Sequence, residues 1–288
     1  MANELILEPK VFAPGQTQWN PDEFRDWMEW NNHSGHVGED TPLGRLWADV
    51  SEDDHLERMI EFGGRHCYRA WDKGRGRADY IRNILDMEHG SVLEHSTINW
   101  AVQGVSRSLS LELARHRVGI ALSQESQRFV DAGDIDFVVP PLVSFADEEG
   151  PSESNFLLDF LAKCRRDVEE YRFLQRALTT SMIINSSSDT KSLTMAKKRA
   201  NEAARSYLPN ACETRFLWST NMRLLRHFLW LRGGSGADLE IRRLAVVLLE
   251  KAKVLAPAVF DDMGTILPDD ACGVPVIVSA YNSIRTYG

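Results

Sequence analysis

Apolar residues recur every three or four positions along much of the chain, which is the spacing of a helix that buries one face. Helices are predicted over residues 53–62, 78–86, 109–114, 156–178, 191–207, 221–232 and 238–255. Asn221 suits the N-cap of the sixth of these helices, and Pro209 and Pro257 follow the ends of two others.

Strands are predicted where apolar and polar residues alternate or where β-branched and aromatic residues cluster. The predicted strands cover residues 91–104, 137–139 and 214–220, and polar loops are predicted over residues 145–153 and 181–189. In the first strand, Val92, Ile98, Trp100 and Val102 are expected to face inward. The pattern as a whole indicates an α/β fold with more helix than strand.

The N-terminal part differs in composition from the remainder of the chain. Residues 1–52 are rich in proline, glycine, asparagine and acidic residues, which predicts an irregular N-terminal extension packed on the main body. One short helix is expected to start at Pro21, which two acidic residues follow. Residues 53–268 are expected to form the main domain, and residues 269–288 a C-terminal tail.

Composition narrows the class of protein. The chain has 288 residues, of which 43% are hydrophobic and 26% charged, the balance of a soluble globular protein with a sizeable core. No apolar run has the length of a membrane span, and no secretory signal is visible at the N-terminus. The four cysteines are widely spread and none lies in a CxxC pair, so a reduced, cytoplasmic protein is expected.

The charge is unevenly distributed. Residues 1–60 contain four basic and thirteen acidic residues, and the difference of −9 equals the net charge of the whole chain. A net charge of −9 argues against binding to nucleic acid. The arginines of the remainder form two groups in sequence: Arg107, Arg115, Arg117 and Arg128, and Arg205, Arg215, Arg223, Arg226 and Arg232. Such groups indicate a pocket for a small anion, most often phosphate. The alternative is a set of ion pairs on solvated helix faces.

The densest group of polar side chains lies between residues 115 and 129, which read RHRVGIALSQESQRF. Bidentate guanidinium groups and serine hydroxyls suit phosphate oxygens, so this segment is a candidate phosphate site. A structural arginine network at a subunit interface is the alternative. The eight histidines show no HExxH or other paired-ligand spacing, so no metal site is expected.

This segment resembles the signature of the flavin-dependent thymidylate synthases, which is Arg-His-Arg, seven residues of any kind, then Ser. The resemblance extends to GSVLEH at 90–95, GVSRSLSLELARHR at 104–117 and ETRFLWSTNMRLLRHFLWLR at 213–232, and it covers roughly residues 55–260. It implies the α/β fold of that family, a helix-rich single domain with a small, mostly antiparallel sheet. It also implies a homotetramer whose active sites are shared between subunits.

The resemblance implies a role for each matching residue. Flavin-binding roles fall to His89, Ser91, Glu94, Arg115, His116, Arg117, Gln124, Asn221, Arg223 and His227. Nucleotide-binding roles fall to Glu112, Arg115, Gln124, Ser126, Gln127, Arg128, Arg205 and Arg232. Arg232, Arg115 and Ser126 are the candidate catalytic residues. Arg232 would polarise the uracil ring, and Ser126 would orient the phosphate rather than act as a nucleophile.

The reaction implied is C5-methylation of dUMP to dTMP, with FAD as cofactor and NADPH and methylenetetrahydrofolate as co-substrates. Eight residues rather than seven separate Arg117 from Ser126, and Phe129 replaces the usual tyrosine, which puts substrate choice in question. A methylase that converts UMP to ribothymidine monophosphate in nucleoside-antibiotic biosynthesis is therefore an alternative. A flavin- or nucleotide-binding regulator without catalysis and a purely structural helical protein are weaker alternatives.

Overall fold

A four-stranded antiparallel sheet lies at the centre of the computed structural model, which describes residues 4–31, 38, 41–48, 54–150, 155–184, 190–268 and 272–281. The strands are β1 (Leu5–Ile6), β2 (Lys10–Gln16), β3 (Thr97–Ser106), β4 (Ile120–Gln124), β5 (Phe137–Val138), β6 (Glu213–Asn221), β7 (Met263–Ile266) and β8 (Val276–Ser279). The order in the central sheet is β2-β3-β6-β4. Strand β1 pairs in parallel with β5, and β7 pairs antiparallel with β8.

The rest of the regular structure in the described residues is helical, apart from the short strand pairs β1–β5 and β7–β8. The helices are α1 (Pro21–Trp30), α2 (Pro42–Ala48), α3 (His55–Tyr68), α4 (Arg77–Asp86), α5 (Arg107–Leu113), α6 (Pro141–Glu149), α7 (Phe156–Ile184), α8 (Thr190–Ala204), α9 (Met222–Arg232), α10 (Leu239–Leu255) and α11 (Pro257–Phe260), with 3₁₀ helices over Gly90–His95 and Arg205–Tyr207. The predicted helix-rich fold with a small, mostly antiparallel sheet is confirmed. In the part of the chain described, no helix has the length and apolarity needed to cross a bilayer.

The main core lies between one face of the central sheet and the helices that follow it. The predicted inward residues Ile98, Trp100 and Val102 of β3 are buried, as is Trp218 of β6 directly opposite Trp100. The indole Nε1–H of Trp100 donates to Thr220 Oγ1 at 3.1 Å, so this large ring is buried without losing its hydrogen bond. Buried apolar residues of α9 and α10 complete the same cluster.

Several element boundaries differ from the sequence predictions. Strand β3 begins at Thr97 rather than at residue 91, because residues 90–95 form a 3₁₀ helix that buries Val92. The loop predicted over 145–153 is wrong where α6 runs to Glu149, and the loop over 181–189 is wrong where α7 runs to Ile184. Asp53, residues 151–154 and residues 185–189 lie outside the described part of the chain.

The N-terminal segment contributes more regular structure than its composition predicted. Strand β2 forms an edge of the central sheet, with Val11 opposite Val102 of β3. A register shift between Phe12 and Gly15 interrupts this pairing, and Pro14 lies within it. Proline is tolerated on an edge strand at such an irregularity, but it hides the strand pattern in the sequence.

Arg226 of α9 is buried in the core, which corrects the expectation from the arginine groups that it belongs to an anion pocket. Its Nη1 and Nη2 atoms donate to the two carboxylate oxygens of Asp262 at 2.7 and 2.9 Å. Burial by itself raises the pKa of Asp262, but the hydrogen bonds and charge of Arg226 outweigh burial and hold that pKa below its usual value.

Arg226→Met is therefore expected to destabilise the fold by about 3–5 kcal/mol, because it leaves the Asp262 carboxylate buried without its partner. The free energy of unfolding in urea measures this effect. Arg199→Met, at an exposed position of α8, is the matched control and should change it by less than about 0.5 kcal/mol. Equal stability of the two variants would contradict a structural role for Arg226.

Candidate active site

The two segments that carry the candidate residues meet beside the start of α9. Strand β4 pairs with β6, with Ile120 opposite Thr220, so the loop that precedes β4 passes close to Asn221. Gly119 in that loop has a φ of +73°, and a Cβ atom at this position would lie 2.8 Å from Asn221 Nδ2. Only glycine combines this backbone conformation with so close an approach.

Asn221 is the N-cap of α9, as predicted. Its Oδ1 accepts a hydrogen bond from the backbone N–H of Leu224 at 2.8 Å, which satisfies one of the free donors at the helix start. The side-chain Nδ2 then remains as a donor on the side that faces Gly119. Helix stability and ligand binding can thus use different atoms of the same side chain.

At the opposite end of α9, Arg232 is held between two side chains of the Arg-His-Arg region. Its Nε–H donates to His116 Nε2 at 3.0 Å, and its Nη1 lies 3.3 Å from Glu112 Oε2. His116 is buried, and its ring packs edge-on against Phe228 with 5.2 Å between ring centroids. These contacts fix the plane of the Arg232 guanidinium while its side chain stays one-fifth exposed.

Burial and nearby positive charge keep His116 neutral. Burial, then the positive charge of Arg232, then His227 lower the pKa of His116 to about 4. A neutral imidazole has one acceptor nitrogen, and here that nitrogen receives the Arg232 Nε–H. Burial raises the pKa of Glu112, a shift that Asp238 reinforces and Arg232 opposes.

The imidazole of His116 is expected to titrate near pH 4, which nitrogen NMR of the folded protein can measure. The unfolded chain takes up this proton at about pH 6.5, so the stability that this group contributes is present above pH 6.5 and falls as the pH drops towards 4. In Arg232→Gln the pKa of His116 should rise, since one of its causes is removed. A pKa of His116 near 6.5 in the wild-type protein would contradict its buried contact with Arg232.

The other predicted flavin-binding residues lie in the first half of α9 and in or beside the 3₁₀ helix over Gly90–His95. Arg223 forms an ion pair with Glu94, which belongs to the 3₁₀ helix over Gly90–His95. His89 and Ser91 are exposed, and the ring of His89 stacks on Tyr68 at 6.5 Å. His227, half-buried one turn after Arg223, has its pKa lowered by burial.

Arg115 and Arg117 flank His116 but are directed away from the core. Both side chains are exposed, whereas His116 between them is buried. Arg223 and Arg232 are nine residues apart on α9, which is roughly 14 Å along the helix axis. Arg223 and Arg232 therefore lie at opposite ends of α9.

A second cluster forms a cavity of about 540 Å³ between the start of α5 and the 3₁₀ helix over Arg205–Tyr207. Its polar lining includes Arg107, Gln127, Glu202 and Arg205. Burial and, after it, the positive charge of Arg205 lower the pKa of Arg107. The two guanidinium groups repel each other because they share one cavity. A dianionic phosphate bound between them would relieve this repulsion.

Arg107 lines this cavity although no site role is predicted for it from the sequence. The sequence places it only in an arginine group, within the segment GVSRSLSLELARHR that carries the family resemblance. Helix α5 connects the two clusters, since Arg107 is in its first turn and Glu112 near its end. These positions are roughly 7.5 Å apart along the helix.

The segment from Gln124 to Arg128 lies between these elements. Gln124 Nε2 donates to Ser110 Oγ at 3.0 Å and to Thr214 Oγ1 at 2.9 Å, which leaves Oε1 of its amide as an acceptor. Ser126 Oγ accepts from the backbone N–H of Arg128 at 3.4 Å. Arg128 Nη2 lies 3.2 Å from Glu202 Oε2, and Glu202 lines the cavity of Arg107 and Arg205, whereas Arg128 itself lines a different cavity between α7 and α8.

Comparison with known proteins identifies the family. Residues 50–258 match the family model described as "Thymidylate synthase complementing protein". A protein of Corynebacterium diphtheriae named "Flavin-dependent thymidylate synthase" is 39% identical over 234 residues, which cover 80% of this chain and 88% of that protein. This chain belongs to the flavin-dependent thymidylate synthase family. The resemblance seen in the sequence is confirmed.

Further relatives within the flavin-dependent thymidylate synthase family agree with this assignment. A protein of the same name from Mycobacterium sp. (strain KMS) is 41% identical over 208 residues, which cover 71% of this chain and 78% of that protein. Among solved structures, the UMP/dUMP methylase PolB from Streptomyces cacaoi, bound with 5-Br UMP, has a TM-score of 0.59. It covers 90% of this chain and 95% of that chain at 18% identity, and it shows that the fold is shared.

The donor groups of this family member fit a flavin. The amide of Asn221 and the half-buried imidazole of His227 suit the polar edge of an isoalloxazine ring. The exposed guanidinium groups of Arg115 and Arg117 suit the phosphates of a dinucleotide. By contrast, the described residues contain no group of three or more His, Cys, Asp or Glu side chains arranged for a metal ion.

Proposed function

We propose that this protein methylates C5 of a pyrimidine nucleoside monophosphate, converting dUMP to dTMP. The observation that carries the proposal is the placement of Arg232, which neutral His116 and Glu112 orient within a protein of the flavin-dependent thymidylate synthase family. Methylenetetrahydrofolate is proposed as the one-carbon donor and NADPH as the reductant. A bound reduced flavin would supply the hydride that completes the methyl group.

The cavity of Arg107 and Arg205 is the proposed binding site of the nucleotide phosphate. Gln127 lines this cavity, and its chain neighbours Ser126 and Arg128 are proposed to contact the same phosphate. Charge-assisted hydrogen bonds from guanidinium groups to phosphate are strong and directional. They would anchor the phosphate end of the nucleotide and leave the base free to reach Arg232. That anchoring reduces the entropy cost of aligning the uracil ring for reaction.

Arg232 is proposed to contact the uracil edge and to stabilise negative charge on its carbonyl side during attack by C5. A donor whose orientation is fixed beforehand stabilises such charge without reorganising. His116 and Glu112 supply that orientation in the structure. Arg115 and Gln124 are proposed to bind the nucleotide and the flavin at the same site.

Two of the four cysteines and Ser126 do not favour a covalent route. Burial raises the pKa of Cys164 to about 11 and of Cys212 to about 12, so both remain thiols near neutral pH. Ser126 Oγ accepts a hydrogen bond from Arg128 and has no imidazole bonded to it in the described residues, so it has no general base. These observations support a reaction in which the protein positions the nucleotide and stabilises charge.

UMP is the second candidate substrate. The eight-residue spacing between Arg117 and Ser126 lengthens the loop by one residue, and the structural neighbour PolB is a UMP/dUMP methylase. A pocket without a hydrogen-bond requirement at the sugar rejects an added hydroxyl only weakly. We therefore expect both dUMP and UMP to be methylated.

A competition assay tests the proposal and ranks the substrates. The protein is incubated with equal amounts of dUMP and UMP, flavin, NADPH and methylenetetrahydrofolate labelled with carbon-13 in its methylene group. Mass spectrometry should find the label in the C5-methyl group of one or both nucleotides. A protein that binds flavin and transfers no label to either nucleotide would instead be a non-catalytic regulator.

A homotetramer with shared active sites is proposed for the assembly. Arg115 and Arg117 are exposed in one chain, so a neighbouring subunit has charged groups to contact there. The four free cysteines support a reducing, cytoplasmic setting.

A further inference from the structure

A second basic cavity lies between α7 and α8. Its volume is about 560 Å³, within the range of ~300–1,000 Å³ that is usual for ligand pockets. Four cationic side chains line it: Arg128, Arg176, Lys197 and Lys198. The proposed reaction uses only Arg128 of these four and assigns no ligand to Arg176, Lys197 and Lys198.

Helical spacing directs the cationic and hydroxyl side chains to the same space. On α7, Arg176, Thr179 and Thr180 are separated by three and four positions, so they share one face. On α8, Thr194 precedes Lys197 and Lys198 by the same intervals. Two facing helices therefore present positive charges and hydroxyl donors to the cavity.

Among the described residues, carboxylates neutralise this cavity only in part. Glu202 pairs with one of its cations, Arg128, at 3.2 Å. Asp131 is the one carboxylate of the described residues that lines the cavity, and it accepts hydrogen bonds from Gly133 N at 2.9 Å, Gln175 Nε2 at 3.0 Å and Tyr171 Oη at 3.3 Å. Within the described ranges, Arg176, Lys197 and Lys198 form no salt bridge. Like charges gathered around one cavity repel each other, and a bound polyanion would relieve that repulsion.

An aromatic ring borders the same space. The ring of Phe129 lines the cavity and is 68% exposed, and the Nζ atom of Lys198 lies 4.4 Å from its centroid. An exposed ring offers a flat surface for a nucleobase, as in proteins that stack bases on aromatic side chains. The neighbouring cations and hydroxyls suit more than one phosphate group.

We propose that the cavity between α7 and α8 binds a nucleoside polyphosphate, with Lys197, Lys198 and Arg176 on its phosphates and Phe129 against its base. Two sources share this chemistry. One is a nucleoside triphosphate, and the other is the adenosine half of NADPH, which carries phosphates at two positions of its ribose. The cavity volume exceeds what a single phosphate needs.

Calorimetric titration of the full-length protein with UTP and with 2′,5′-ADP, each in the presence of saturating dUMP, tests the proposal. At least one nucleotide should bind. Its affinity should fall about tenfold or more in Lys197→Gln/Lys198→Gln, because two charge-assisted contacts are lost. Lys191→Gln/Arg199→Gln removes two charges from exposed positions of the same helix outside the cavity and should bind within about twofold of wild type.

The outcomes separate the sources and the alternatives. Tighter binding of UTP identifies a triphosphate site, and tighter binding of 2′,5′-ADP identifies a site for the phosphorylated half of NADPH. Absence of binding by both, equal losses in the two double variants, or binding of inorganic triphosphate as tight as that of UTP would overturn the proposal. A separate dUMP titration reports on the proposed reaction, so failure of one does not imply failure of the other.

Discussion

Replacing Arg232 with glutamine is expected to lower kcat for nucleotide methylation by a factor on the order of 10²–10³, the usual effect of removing one preorganised donor from a site of developing charge. Arg232 is the guanidinium that His116 and Glu112 orient from two sides. Because this contact strengthens as negative charge builds on the uracil, the loss should appear in kcat more than in KM.

Arg232→Lys sharpens this test. Lysine retains the positive charge but has neither the Nε–H that His116 accepts nor the planar fork, so a loss of roughly tenfold or more is still expected. The exposed Arg199→Gln variant serves as the matched control with unchanged kcat. Full activity of Arg232→Gln, with flavin content and stability unchanged, would exclude Arg232 from the reaction.

Replacing Arg205 with glutamine should raise KM for dUMP by roughly 10–100-fold, since hydrogen bonds to charged groups contribute about 1.5–3 kcal/mol each. Arg205 and Arg107 line the same cavity and repel each other. A bound dianionic phosphate would relieve that repulsion. A smaller effect is expected on kcat, because a phosphate contact is present in both the ground state and the transition state. Steady-state kinetics over a range of dUMP concentrations measures both constants.

The nucleoside provides the control for this prediction. Deoxyuridine lacks the phosphate, so wild type and Arg205→Gln should bind it equally. An equal loss of affinity for dUMP and deoxyuridine in Arg205→Gln would mean that Arg205 supports the fold of the site rather than binding the phosphate. The unfolding free energy of the variant would confirm that reading.

Features that depend on local chemistry follow from the sequence. Asn221 caps α9 as predicted, because N-capping depends on a side chain and a backbone N–H three residues away. The inward residues Ile98, Trp100 and Val102 were also correct, since alternation directly reports which face of a strand is buried. Helix α4 was predicted to within one residue.

Two predicted elements were wrong because the same local pattern fits two structures. The acidic residues near position 148 resemble a loop, yet they end α6, because a helix that starts at Pro141 can expose acids on its outer side. The stretch before β3 alternates like a strand but forms a 3₁₀ helix, since short apolar runs fit both structures.

Within the candidate site, the role of each arginine depends on partners that are distant in the sequence. Arg226 and Arg232 lie on one helix, yet Asp262 binds the first in the core while Glu112 and His116 orient the second towards the site. Nothing local distinguishes the two arginines. Arg107 was overlooked for the same reason, because its neighbour Arg205 is almost one hundred residues away in the chain.

A crystal structure of the protein with flavin and dUMP bound tests the site most directly. Our account predicts that an Arg232 guanidinium hydrogen-bonds to the uracil edge, that Ser126 and Arg205 contact the phosphate, and that the flavin ring lies near Asn221 and His227, each residue from either protomer. A nucleotide bound elsewhere, with neither Arg232 nor Arg205 of any protomer in contact with it, would contradict the account.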